Sequence, residues 1–222
     1  MPVETAALRR IPLFARLGPE DLAHVAAVAL ERRYERGDII LLEGARAGAL
    51  HYVRSGLVKV FKTSPDGKEQ VLRLIAEGHT FNDVPALDGG PNPASAAAIE
   101  PSIVHVIGHA ELLKLIAQHP GVAEGAVQSL AEALRHLVGL VEDLSFRRVA
   151  ARVAKILLDQ QHEASQGGQT SHRLTQQEMA AMAGTAREMV GRALKELEAA
   201  GAVEMRQGRA VVVDSERLKL LV

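Results

Sequence analysis

The sequence predicts an α+β protein built in three successive regimes. Residues 34–107 alternate short apolar stretches with closely spaced turn signals, as an all-β sandwich or barrel does. Residues 110–159 change to a helical period carrying an apolar seam, and residues 174–213 read as helix, turn, helix and hairpin. A chain of 222 residues accommodates one large domain or two modest ones, each able to bury a core.

Composition removes several classes of function. The net charge of −1 excludes a uniformly basic nucleic-acid binder but leaves room for a local basic face. The absence of cysteine excludes disulfides, thiolate zinc sites and cysteine-ligated iron–sulfur clusters. No apolar run reaches the roughly 18 residues of a membrane span, and "MPVETAALRR" lacks the basic-then-apolar order of a secretory signal. A cytoplasmic protein with no membrane partner is therefore expected.

The first regime follows a short helix in "GPEDLAHVAAVAL", residues 18–30. Its strands are "IILL", "LVKVF" and "VLRLI", set between "RGD", "EGARAG", "RSG", "SPDGKE" and "EG". One stretch stands apart. "FNDVPALDGGPNPASAAAI", residues 81–99, is rich in proline and small residues, and residues 74–113 contain neither Arg nor Lys.

In the second regime Val127, Leu130, Leu134, Leu137, Val141 and Leu144 are spaced 3, 4, 3, 4, 3. This is an a/d heptad seam of a kind compatible with a parallel dimer. Either a second copy or the chain's own strands cover it. The connector "QQHEASQGGQTSH", residues 160–172, has loop composition.

The third regime carries the sharpest chemistry. Thr175 and Glu178 fit a capping box, Gly184 suits the tight turn, and Thr185 is placed to cap the next helix. Ala180, Ala181 and Ala183 allow two helices to cross closely. Arg187, Glu188, Gly191 and Arg192 share one face near a helix N-terminus, the part that a helix-turn-helix inserts into the major groove. Arginine donates to guanine O6 and N7, and glutamate accepts from cytosine N4. Gly191 keeps the surface flat, while Glu188 and Arg192 pair at i,i+4. Met189, Val190, Ala193, Leu194 and Leu197 are expected to pack inward.

With these residues in view, "LTQQEMAAMAGTAREMVGRALKELEAAGAV" (174–203) resembles the helix-turn-helix of the CRP/FNR transcription regulators. Residues 36–81 resemble that family's cyclic-nucleotide-binding-type β-roll. "EDLSFRRVAARVAKILLD" (142–159) resembles the end of its dimerisation helix and the hinge that follows. The resemblance spans nearly the whole chain. It implies a double-stranded, jelly-roll-like β-roll at 1–110, a dimerisation helix region at 111–146 and a winged helix-turn-helix at 147–222. It also implies a homodimer on a palindromic site of double-stranded DNA, with TGTGA-like half-sites read by Arg187, Glu188, Gly191 and Arg192. RNA polymerase is a further implied partner, touched through the 160–172 loop. Thr175, Gln176, Thr185, Arg206 and Arg209 are the expected contacts to the DNA backbone, with Arg147, Arg148, Arg152 and Lys155 as further cations.

The effector is the open question. Members of the family that bind cAMP hold its ribose with a Gly-Glu pair and its phosphate with an Arg-Ser pair. Here Asn82 and Asp83 occupy the first place, and Ala94 and Ser95 the second, without an arginine. Asn82, Asp83, Ser95, Leu137 and Val138 are the candidate pocket, apolar on its helix side, and cAMP is not expected to fill it. Haem-binding sensors in the family imply an alternative, with His51 and His79 as candidate ligands and Pro2 as a candidate axial ligand. A cupin-like metal site at His51, His79, His105 and His109 is the rival from another class, although the spacing lacks an H-x-H pair with a following Glu and His. No nucleophile–base set is visible, so no catalytic residue is assigned.

Overall fold

A computed structural model describes residues 5–9, 11–46, 48–165, 173–206 and 208–222 of the chain. Pro2 and residues 166–172 of the connector, to which an axial-ligand role and a polymerase contact were assigned above, lie outside the described residues. Contacts divide the chain into two units, Met1–Lys62 with Arg73–His136, and Thr63–Leu72 with Leu137–Val222.

The first unit begins with α1 (Thr5–Leu8), a 3-10 turn (Pro12–Phe14) and α2 (Pro19–Val28). Pro19 opens α2 where its missing N–H costs nothing, and Glu20 and Asp21 complement the helix dipole. Strands β1 (Leu30–Tyr34), β2 (Ile39–Leu41), β3 (Ala49–Ser55), β4 (Leu57–Thr63), β5 (Glu69–Ala76) and β6 (Thr80–Phe81) follow. A short helix α3 (Asp83–Asp88) precedes β7 (Ser95–Ala98) and β8 (Ser102–Gly108).

Two antiparallel sheets result, ordered β1-β8-β3-β6 and β2-β7-β4-β5. Leu41, Val58, Ile75 and Ala96 of one sheet meet Val53, Phe81 and Val104 of the other in a shared core. The outer face of the first sheet is also covered: Leu50, Tyr52 and Ile107 pack against Leu22, Val25, Leu112 and Leu115 of the surrounding helices. With both faces buried, residues 49–53 of β3 form a continuous buried run instead of an alternating one.

The first strand starts at Leu30, earlier than the turn pattern indicated. Its sequence LERRY is polar because β1 is an edge strand, bonded only to β8, where solvent on the free side tolerates charge. Between β3 and β4 the chain turns at Gly56, with φ +93°. A Cβ there would lie 2.3 Å from the Ser102 hydroxyl and 2.5 Å from the Pro101 carbonyl oxygen, so the turn admits only glycine.

Helices α4 (His109–Gln118), α5 (Pro120–Phe146) and α6 (Val149–Ser165) come next, and the division between the units falls inside α5. The connector is shorter than its composition suggested, because residues 160–165 continue α6. The stretch QQHEAS holds no glycine or proline to stop a helix.

The second unit ends in α7 (Gln176–Ala183), α8 (Arg187–Ala199), the hairpin β9 (Val203–Arg206) and β10 (Arg209–Val212), and α9 (Ser215–Lys219). The hairpin pairs Val203↔Val212 through Arg206↔Arg209 and turns at Gly208, with φ +77°.

Candidate functional site

The helix-turn-helix assembles from local signals. The Thr175 hydroxyl accepts from the Glu178 N–H at 3.2 Å, and the Thr175 N–H donates to Glu178 Oε2 at 2.7 Å, which completes the capping box. The Thr175 hydroxyl also donates to Glu178 Oε2 at 2.9 Å. Both of its donors are therefore engaged within the protein. These bonds make it a positioning residue at the start of α7. Gly184 closes α7 in the left-handed region, its N–H donating to the Ala180 carbonyl. Thr185 does not cap α8. Its backbone N–H also returns to Ala180 O, at 3.0 Å, and the extended residue before α8 is Ala186, without a side-chain cap.

On α8, Val190, Ala193, Leu194 and Leu197 are buried, against the buried Met179, Ala180 and Ala183 of α7. Arg187, Glu188 and Arg192 are exposed on the other side with Gly191 half-buried between them, so the four candidate base-reading residues share one accessible face. Met189 departs from the expected inward set: it is 38% exposed. An open groove of about 470 Å³ runs beside this face, lined in part by Leu174, Gln176, Arg187, Gly208 and Arg209. It joins the start of α7, the start of α8 and the hairpin turn, bringing Gln176 and Arg209 to one surface with Arg187.

The other candidate cations are placed less favourably for phosphate. Arg206 forks onto Glu204 Oε2 at 2.7 and 3.0 Å, and its guanidinium holds that carboxyl below the usual range. Arg152 donates to the carbonyls of Ala183 and Arg147, both at 2.8 Å. Arg147 and Lys155 both pair with Asp143. These three tie α5, α6 and α7 together. Arg148 is exposed.

In the first unit, the 81–99 stretch is internally bonded. Asn82 adopts a left-handed backbone, φ +65°, and its side-chain amide donates to Ala49 O and Asn92 Oδ1, each at 3.1 Å. Asp83 Oδ1 accepts from the Thr80 hydroxyl at 3.0 Å and from the Ser129 hydroxyl of α5 at 3.2 Å. Ser95 Oγ accepts from the Glu43 N–H. Two participants were not visible in the sequence. Ser129 lies 46 positions from Asp83, and Lys62 is brought to the segment by the β4–β7 pairing, donating to Pro93 O at 3.3 Å and to Glu43 Oε1.

His51 and His105 are buried in the sheets. His51 is 4% exposed, its ring 5.0 Å from that of Phe81 and its Nδ1 3.1 Å from Ala49 O. Burial lowers its pKa to about 4. An imidazole enclosed in this way does not fit haem ligation. His79 is exposed, with Nδ1 3.2 Å from Glu77 O. His109 Nδ1 donates to Ala86 O at 2.7 Å. His105 is buried, 3.7 Å from Glu31, and desolvation lowers its pKa against the pull of that carboxylate. Among the described residues no group of three or more His, Asp or Glu could hold a metal ion, so these four histidines form no cupin-like centre.

The α5 seam is laid open. Val127, Leu134 and Val141 are 63–67% exposed, Leu137, Val138 and Leu144 are also exposed, and Leu130 is half-buried. No described helix is long and apolar enough to cross a membrane.

Comparison with known proteins agrees with this architecture. Residues 31–119 match the cyclic nucleotide-binding domain family, and residues 151–221 match the Crp-like helix-turn-helix domain. The chain is 31% identical over 215 residues to the CRP-like cAMP-activated global transcriptional regulator of Mycobacterium tuberculosis, covering 95% of this chain and 96% of the relative. It is 34% identical to the cyclic AMP receptor protein of Thermus thermophilus, covering 94% and 95%. The structure of FixK2 from Bradyrhizobium japonicum superposes with a TM-score of 0.77 at 26% identity, covering 87% of this chain and 97% of that one. The Mycobacterium tuberculosis relative is a transcriptional regulator. With α8 exposed beside a hairpin, and with sequence and fold shared along nearly its whole length, the chain belongs to the CRP/FNR family of DNA-binding transcription regulators.

Proposed function

We propose that the chain acts as a homodimer on a two-fold symmetric DNA site and that cAMP does not control it. The observation that carries the DNA-reading part is the sidedness of α8: Arg187, Glu188 and Arg192 are exposed, while Val190, Ala193, Leu194 and Leu197 are shut away. Arg187 and Arg192 read guanines and Glu188 a cytosine amine, in a TGTGA-like half-site. Gln176, Thr185, Arg209 and a freed Arg206 touch the backbone.

The exposed a/d seam of α5 supports the dimer, since an apolar stripe of this length is costly to leave in water. Pairing across it sets two copies of α8 about 34 Å apart, one turn of DNA. In this reading residues 1–110 form the sensor, 111–146 the dimerisation region and 147–222 the DNA-binding domain, hinged near residues 144–148. The protein works in the cytoplasm with RNA polymerase as a partner.

Independence from cAMP rests on charge. The cAMP named for the two relatives carries a phosphodiester anion, and this chain offers the 82–95 stretch no arginine and an aspartate already bonded to Thr80 and Ser129. The lysine that reaches the stretch, Lys62, is paired with Glu43. Burying an anion there without a free cation carries a heavy penalty.

Selection of bound DNA from a random pool, with purified protein and no added ligand, tests the reading. Recovery of an inverted repeat, unchanged by added cAMP, is the expected result. Recovery of a site only in the presence of cAMP refutes effector independence.

A further inference from the structure

The first turn of α8 presents three side chains in a row around the helix. Successive residues turn by about 100°, so Arg187 lies on the flank lining the groove with Gln176 and Arg209, Glu188 at the centre, and Met189 on the far flank. The next residue, Val190, is fully buried. Met189 is therefore the odd member of the apolar set. Leu194 and Leu197 are 1% exposed, whereas Met189 is 38% exposed beside two residues suited to reading bases.

The core does not account for that exposure, but a DNA groove does. A helix with its side chains is about 10–12 Å across and the major groove about 12 Å wide, so both flanks of an inserted first turn face base edges. Arginine and glutamate match hydrogen-bonding edges. The apolar group that the major groove offers is the C5 methyl of thymine. A long, unbranched thioether side chain reaches and moulds itself to such a group. Against an edge without the methyl, it would cover polar atoms and give them no partner.

We infer that Met189 is a specificity-determining residue that packs on the C5 methyl of a thymine in each half-site. The inference rests on α8 being the reading helix and adds an apolar element to its code.

The test uses the full-length protein and the site it selects from a random pool, with each thymine replaced in turn by deoxyuridine, which removes only the methyl group. Burying one methyl is worth roughly fourfold in affinity. At one thymine position, uracil weakens wild-type binding about fourfold in a single half-site and about fifteenfold in both. Met189→Ala binds the unmodified site more weakly and loses the uracil penalty at that position, while its thermal unfolding stays that of the wild type. Indifference to uracil at every thymine overturns the inference and leaves the reading helix intact, as does an undiminished penalty in Met189→Ala. Failure to select any sequence overturns the DNA reading itself, and this inference with it.

Discussion

Acid should weaken the first unit through His51. The ring lies between the sheets, tilted against Phe81, with its proton on the nitrogen facing Ala49 O. Its pKa falls from the ordinary 6.5 to about 4 because burial penalises the charged form. The folded state therefore binds a proton less readily than the unfolded state. Stability is complete above pH 6.5 and is lost as pH falls toward 4, at about 1.4 kcal/mol per pH unit. By pH 5 the loss is about 2 kcal/mol, a large share of a typical domain's stability. His51→Leu keeps an apolar side chain against Phe81 and removes the proton.

Urea unfolding of both proteins at one concentration, between pH 7.5 and pH 5, isolates this contribution. His105, also lowered by burial, and the carboxylates of Glu31, Asp66 and Glu204, all held low by cationic or hydrogen-bonding neighbours, cancel in the comparison. The wild type should lose about 2 kcal/mol more than the variant over this range. Parallel pH dependences would refute the argument and show that the buried ring is charged or solvated.

Two further predictions concern the DNA reading. Arg192→Ala should cost about 1–3 kcal/mol on the selected site and flatten the preference at one guanine, measured by competition with single-base variants; equal weakening on all sequences would remove it from base reading. Leu134→Glu combined with Val141→Glu places like charges along the exposed seam and should yield monomers by sedimentation at micromolar concentration, with the α-helical content retained. A dimer that survives this change is held elsewhere.

Local chemistry made much of this protein legible from its sequence. The capping box at Thr175 and Glu178, the glycine turn at 184, the buried and exposed faces of α8 and the seam of α5 each depend on residues within a few positions of one another. Periodicity and capping report such relations directly. Where a local reading missed, a neighbour within reach changed the outcome. Helix α8 starts one residue later than expected, so Ala186 and not Thr185 stands at its N-cap, and residues 160–165 stayed helical for want of a breaker.

The tertiary structure decided what depends on distant partners. LERRY becomes a strand because β8 pairs with it, and β3 lost its alternation because helices cover the outer face of its sheet. Asp83 met Ser129, Lys62 met Pro93, and Arg147 and Lys155 met Asp143, through contacts that no spacing in the sequence encodes. Met189 looks like one more core residue in the heptad-like apolar pattern of α8. Its position on the helix circumference, about 40° from buried Ala193 and about 60° from exposed Arg192 at roughly 100° per residue, leaves it at the edge of the exposed face. Sequence settles which groups are available, while folding brings together those far apart along the chain, because their hydrogen bonds and ion pairs exist only once the backbone has closed the distance.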